Sequence, residues 1–200
     1  MPAAARTSRS AIVDEARALL ERDGLDGLTM RAVADAVGVR APSLYKHVAD
    51  RDDLVRLVVD ATVLELGERL GGVSDARPES RLRRLADEFR AFAHARPAAF
   101  GLLFSALPTA WRPDPVANAG AVRPIIEVAT DLVGADHALD ASRTLTAACV
   151  GFITMELAGA FRLGGSMDAA WSYLIDTLVT GLGRQQTRAE SPAARGSSRR

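Results

Sequence analysis

Cysteine occurs once in this chain, at Cys149, which excludes an intramolecular disulfide and leaves redox regulation to a single thiol. Histidine is nearly as scarce: His47, His94 and His137 are scattered without metal-ligand spacing, so neither a metal nor any other cofactor is expected. No apolar run reaches the roughly eighteen residues of a membrane-spanning helix. The start, MPAAARTSRS, lacks the apolar segment of a secretory signal, so a cytoplasmic protein without membrane association is expected. Neither sign of charge is in excess, with 25 basic and 25 acidic residues. Any nucleic-acid site must therefore be a local concentration of charge. Lys46 is the sole lysine, an arginine bias to which we attach no functional weight. The motifs of common enzymes are missing too: no G-x-S-x-G, no glycine-rich phosphate loop and no paired histidines with a carboxylate, which argues against catalysis.

What is present is ordinary for a globular chain: 200 residues, 48% apolar and 25% charged, enough for one domain or two small ones. The apolar spacing is helical throughout. Ser10 can cap a helix carrying Ile12, Val13, Ala16, Leu19 and Leu20, and Gly24 ends it. Thr29 is a natural N-cap for a second helix with Met30, Val33, Ala34 and Val37 on one side, and Gly38 stops that one. A short helix then starts near Ala41, with Pro42 acceptable in its first turn, where no backbone donor is needed. Asp50 caps a long helix running to Leu70. Helix, glycine turn and short helix together form the pattern of a DNA-binding helix-turn-helix. Between Gly38 and Val48 there is no acidic residue, while Arg40, Ser43, Tyr45, Lys46 and His47 crowd the outward side.

The run from Gly24 to Leu54, GLDGLTMRAVADAVGVRAPSLYKHVADRDDL, resembles the N-terminal DNA-binding domain of TetR-type transcriptional regulators, including the L-Y-x-H-V segment of the tetracycline repressors. The resemblance implies an all-α chain: an N-terminal helix-turn-helix three-helix domain joined by a long helix to a C-terminal helical ligand-binding and dimerisation domain. It implies a ligand-responsive regulator with no enzymatic activity. Most directly, that is a homodimeric repressor released from a palindromic double-stranded DNA operator by an unknown small-molecule effector. A transcriptional activator or an architectural DNA-binding protein is the alternative. The same resemblance assigns Arg31, Ala41, Pro42 and Ser43 to base edges, and Thr29, Tyr45, His47 and Arg51 to phosphate oxygens. Arg40, in the turn, and Lys46, on the recognition helix, lie on the same side. Ala41 stands where the tetracycline repressors carry a glutamine. It leaves room for a thymine methyl, and the operator should differ. The physical warrants are separate. Arg31 can give guanine a bidentate contact, Tyr45 can pack its ring on the bundle and offer its hydroxyl, and Arg51 can present a fixed fork. Against them stand plain solvated side chains, a core-edge tyrosine, and pairing of Arg51 with Asp52 or Asp53.

Beyond Leu70 the expected helices run from Glu79 to Arg96, through the apolar AAFGLLFSAL segment, from Val116 to Val133 with an adjustment at Pro124, from Asp140 to Phe161, and from Asp168 to Leu182. Pro108, Pro113 and Pro115 surround Trp111 in a loop. Phe89, Phe92, Phe100, Phe104, Trp111, Asn118, Cys149, Phe152 and Met155 are candidates for a mostly apolar ligand cavity, or else simply core. Phe152, Met155, Gly159, Trp171, Leu174 and Leu178 are candidates for the dimer interface, or for the monomer core. The segment ACVGFITMELAGAFRLGG resembles the C-terminal domain of one TetR subgroup, in which a His-Gly pair occupies the position of Val150-Gly151. The expected organisation is an arm over 1–9, disordered or touching DNA, a DNA-binding domain over 10–57, a ligand-binding and dimerisation domain over 58–184, and a disordered tail over 185–200.

Overall fold

The computed structural model describes the backbone of residues 8–190 and the side chains of residues 8–183. Among the described residues there is no strand; the chain runs as α1 (Arg9–Gly27), α2 (Met30–Val37), α3 (Ala41–Leu44), α4 (Arg51–Gly71), α5 (Pro78–Ala95), α6 (Pro97–Leu103), a single 3-10 turn (Thr109–Trp111), α7 (Pro115–Val133), α8 (Ala135–Leu157) and α9 (Met167–Glu190). The all-helical architecture is as expected. No helix among the described residues is long and apolar enough to cross a membrane.

Two compact units divide the chain, and neither is a continuous segment. The first combines residues 1–68 with 92–121, the second 69–91 with 122–200, so the division falls inside α4, α5 and α7. Residues 92–121 join the first unit because α6 packs on α1, and Leu107 and Trp111 of the loop after it pack against the same core.

In the first unit, α1 buries Ile12, Ala16, Leu19 and Leu20, an i, i+4, i+7, i+8 stripe. Its cap is Ser8, whose hydroxyl accepts the Ala11 N–H at 3.2 Å, and not Ser10. The helix breaks at Gly24, whose φ of 69° is open to glycine and strained for other residues. Leu28 then enters the core with no exposure. Val33, Ala34 and Val37 of α2, Leu44 of α3, Val48, and Leu54, Val55, Val58 and Val59 of α4 complete that core, with Ala99 and Leu102 of α6 against them. At the start of α4, Asp50 accepts the Asp53 N–H at 2.8 Å and Asp53 accepts the Ala49 N–H at 3.0 Å, a reciprocal cap. The backbone bond from Ala49, chiefly, then the Arg56 guanidinium, hold the Asp53 carboxyl below the usual carboxylate range.

The apolar AAFGLLFSAL segment is shorter as a helix than its composition predicts. It ends at Leu103, with Gly101 and Phe104 exposed. Glu21 of α1 caps its start, accepting the Ala98 and Ala99 N–H groups at 2.9 and 3.0 Å. Residue Asp114 caps α7, accepting from Val116 and Ala117; the helix then continues through Pro124.

In the second unit, α8 begins at Ala135, five residues earlier than expected, because Gly134 at φ 79° turns the chain in one residue. It stops at Leu157, where Gly159 at φ 62° lets Ala160 N–H return to the Met155 carbonyl at 2.9 Å. Helix α9 continues to Glu190, past the expected end at Leu182 and into the expected tail. The rest of that tail, 191–200, and residues 1–7 of the expected arm lie outside the described residues. The core is lined by Leu82, Leu85 and Phe89 of α5, Val128, Ala129 and Leu132 of α7, Leu145, Cys149 and Ile153 of α8, and Trp171, Ile175 and Val179 of α9.

Candidate nucleic-acid interface

The helix-turn-helix owes its shape to two local devices. The Thr29 hydroxyl accepts the Ala32 N–H at 3.1 Å and starts α2. Gly38, at φ 77°, ends it, so that the Val39 N–H reaches back to the Ala34 carbonyl at 2.9 Å. The chain turns directly into α3, whose four residues carry Pro42 in the first turn, and Leu44 anchors the element with no exposure. Tyr45, Lys46 and His47 follow as a turn rather than as helix, and Val48 closes it from inside the core at 1% exposure.

This framework leaves one face open. Arg31, Arg40, Pro42, Tyr45, Lys46 and His47 are exposed, as is Thr29, while Ala41 and Ser43 are half-buried. Tyr45, at 54% exposure, is not a core residue. Arg31 has only a loose pair with Asp35, 3.9 Å apart and both largely exposed, an interaction of about 0.3–0.5 kcal/mol that a stronger anion displaces. The acids that follow in sequence are engaged elsewhere: Asp50 in the cap, Asp53 with Ala49 and Arg56, Asp52 with the indole N–H of Trp111 at 2.8 Å. The open face therefore carries the cations Arg31, Arg40 and Lys46 with Asp35 as its acidic neighbour, a local positive field on a neutral chain.

Arg51 departs from the expected clamp. Its Nε donates to the Leu28 carbonyl at 3.0 Å and its Nη2 to the Leu25 carbonyl at 2.7 Å, and it is part-buried. Two edges of the fork are thus spent on the end of α1 rather than on Asp52 or Asp53.

The ligand candidates are divided between the two units. Phe92 and Phe100 are buried, Asn118 is exposed, and Phe104, 37% exposed, packs on Phe100 with ring centroids 4.8 Å apart and the rings tilted at 48°. Trp111 packs against the core of the first unit, and its indole N–H is tied to Asp52 of α4 at 2.8 Å. In the second unit Phe89 and Cys149 are buried, Phe152 is half-buried and Met155 is 48% exposed.

Among the interface candidates, Trp171 is corrected. At 2% exposure, with its indole N–H donating to Asp87 at 2.8 Å, it belongs to the interior. The buried edge of α9 is Trp171, Ile175, Val179 and Leu182, one register step from the Trp171, Leu174, Leu178 and Leu182 face expected, so Leu174 and Leu178 are left half-buried. Gly159 is an exposed helix stop.

Sequence reasoning missed Glu21, Asp52 and Asp60 as fasteners of the first unit. Acids on helices carry no signal of partners some 50 to 80 residues away.

Comparison with known proteins places this geometry. Residues 12–58 match the family of bacterial regulatory proteins called the tetR family, and residues 82–178 match a tetracyclin repressor-like C-terminal domain. An HTH-type transcriptional regulator of Mycobacterium tuberculosis is 31% identical over 190 residues, covering 92% of this chain and 85% of that protein. The class D tetracycline repressor of Escherichia coli is 39% identical over 62 residues, which is 31% of this chain and 27% of that protein. A TetR from Acinetobacter baumannii, solved as a single-residue variant in complex with minocycline, superposes with a TM-score of 0.69 at 24% identity, covering 90% of this chain and 98% of that one, a likeness that bears on the fold.

Proposed function

Because the chain belongs to the TetR family of transcriptional regulators, we propose that it is a repressor that binds a palindromic operator as a homodimer and lets go when a small-molecule effector binds. The observation that carries the DNA reading is the exposed arc of Arg31, Arg40, Tyr45, Lys46 and His47 around a recognition element whose interior side, Leu44 and Val48, is fully committed to the core. Ala41, Pro42 and Ser43 at the start of α3 meet base edges together with Arg31, and Thr29, Tyr45 and His47 meet phosphates. One such element touches too little DNA for tight binding. Two related by a dyad read half-sites about 34 to 36 Å apart, or a multiple of that.

The second copy has a surface suited to it. On α8, Ala147, Gly151 and Met155 are exposed at i, i+4, i+8, and on α9 Tyr173 is 77% exposed beside the half-buried Leu174 and Leu178. Effector release works by stabilising a dimer whose recognition elements are wrongly spaced, and the shift cannot exceed the effector's differential affinity for the two states. The A. baumannii neighbour was solved with minocycline; for this chain the effector class is open to screening.

Selection of bound sequences from a random DNA pool tests the reading directly. The expected product is a palindrome with half-sites one helical turn or a multiple apart. Recovery of unrelated sequences that share only flexibility points to an architectural protein, and a half-site without symmetry overturns the dimeric mode.

A further inference from the structure

The end of α1 has a gap that another helix fills. After the break at Gly24 the last turn presents carbonyls at Leu25 and Leu28, and α1 has no basic residue there to meet them. Arg51, the first residue of α4, supplies that cation: one charge-assisted bond runs to each carbonyl. The arginine is itself held from the far side. Its guanidinium carbon lies 5.8 Å from the centroid of the Trp111 ring. The indole N–H of Trp111 donates to Asp52, the next residue of α4, at 2.8 Å. Two turns further along α4, Asp60 accepts the Asp114 N–H at 2.8 Å, while its other oxygen is bound by Arg56 at 3.0 Å. The segment 111–114 is thus fastened along α4 at both ends and presses on Arg51 at the first of them.

The consequence follows from where Leu28 sits. It is next to Thr29, the cap of α2, and Arg31 lies three residues on. A shift of Arg51 releases the Leu28 carbonyl, leaves the Leu25 carbonyl with the Leu28 N–H alone at 3.3 Å, and so loosens the junction that aims α2. A lysine in its place keeps the charge, but as a point donor it cannot span two carbonyls as a planar fork does.

We propose that Arg51, held under Trp111, is a positioning residue that fixes the α1–α2 junction for DNA binding, so that the loop bearing Trp111 sets DNA affinity without touching DNA. The assignment rests on the DNA-binding reading above and differs from a phosphate contact in a measurable way. A phosphate contact contributes about one unit to the slope of log affinity against log salt. A positioning residue contributes none.

The test uses the full chain and the fragment recovered by selection. R51K and R51M are expected to weaken binding alike, by tenfold or more, with the salt slope of the unsubstituted protein. W111A is expected to do the same, and W111F, which keeps an aromatic face but loses the N–H, to fall in between. W111F and R51K keep the comparison open if the larger truncations fail to fold. The sequence has two tryptophans, so in a W171F background Trp111 reports alone, and R51M is expected to shift its emission. Full affinity in R51K together with a slope lowered by about one in R51M overturns the proposal in favour of a phosphate clamp. Full affinity in W111A overturns it as well. Failure to select any DNA sinks the DNA-binding reading and this assignment with it, whereas successful selection with W111A at full affinity sinks this assignment alone.

Discussion

At the scale of single residues, Cys149 separates a property of the residue type from a property of its place. A thiol in water loses its proton a little above neutral pH, but here it lies 6% exposed among apolar neighbours, and burial pushes its pKa up from 9.0 to about 12. That rise corresponds to roughly a thousandfold less thiolate at neutral pH, the form that reacts. Alkylation by iodoacetamide at pH 8 is therefore expected to be at least about a hundredfold slower for the folded protein than for the urea-unfolded chain, and mild oxidants are expected to leave DNA binding unchanged. The raised value also sets a sign. The folded state holds the proton more tightly, so the stability linked to it is complete below about pH 9 and is lost as pH climbs from there towards 12. Replacing Cys149 by alanine should flatten that alkaline decline, as read from urea midpoints against pH; an unchanged decline assigns it to other groups. Arg51 shows the same principle. Its identity gave it a charge to offer to phosphate, and the carbonyls of Leu25 and Leu28 decide what it is offered to first.

At the scale of elements, starts and stops with a local chemical signal are readable and those without one are not. Thr29, Gly38 and Asp50 do what serine-like caps, left-handed glycines and aspartate caps do. Read from sequence, α8 begins at Asp140, because Gly134 followed by Ala-Asp-His-Ala reads as easily as a loop as a tight turn. The Phe152 and Met155 face of α8 reads equally as cavity lining, dimer interface or core, and Ile153 is the residue with no exposure. An apolar stripe one position wide of its neighbour is not resolved by periodicity when both stripes are apolar. Electrostatic ties between elements are equally silent. Arg90 of α5 donates to Glu156 of α8, with Nε to Oε2 at 3.0 Å, and to Asp168 at the start of α9 at 2.8 Å, and it lies over the ring of Trp171. The Arg90 and Glu156 side chains are 16% and 9% exposed. Replacing Arg90 by methionine removes the two guanidinium bonds to a largely buried carboxylate and is expected to cost about 3 kcal/mol. Urea denaturation should show that loss and its partial recovery in the R90M/E156L pair; equal loss in both assigns the effect to packing of the Arg90 stem.

At the scale of the whole molecule, the feature that matters most for the proposed function is apolar surface that one chain leaves uncovered. Met155 at 48%, Leu157 at 36%, Phe161 at 37% and Tyr173 at 77% exposure lie on or next to α8 and α9. Met155→Asp and Leu178→Asp are expected to convert the sedimenting species from two chains to one, and to remove the rise of melting temperature with protein concentration that an obligate dimer shows. A species of unchanged mass in both variants places the dimer contact elsewhere. Met155 is the stronger probe, since its exposure makes the cost to the monomer small. The discontinuous units are a second molecular-scale result. Chain order alone groups residues 92–121 with the C-terminal part, yet they pack with the N-terminal part because Ala99, Leu102 and Ala121 bury into its core, with Glu21, Asp52 and Asp60 as fasteners.

What depends on neighbours along the chain is legible without a structure: helices from apolar spacing, their ends where a cap or a glycine marks them, the helix-turn-helix of Thr29 to Val48, and a cationic face suited to DNA. These are short-range effects, in which a hydroxyl, a Cβ or a charge acts within one or two turns. The rest follows from the folded chain: that Arg51 faces the end of α1, that Trp111 belongs to the first unit, that Trp171 is interior while Met155 is not. Those outcomes depend on which of several chemically equivalent partners comes within about 3 Å, and residues 23 or more positions apart carry no local mark of it.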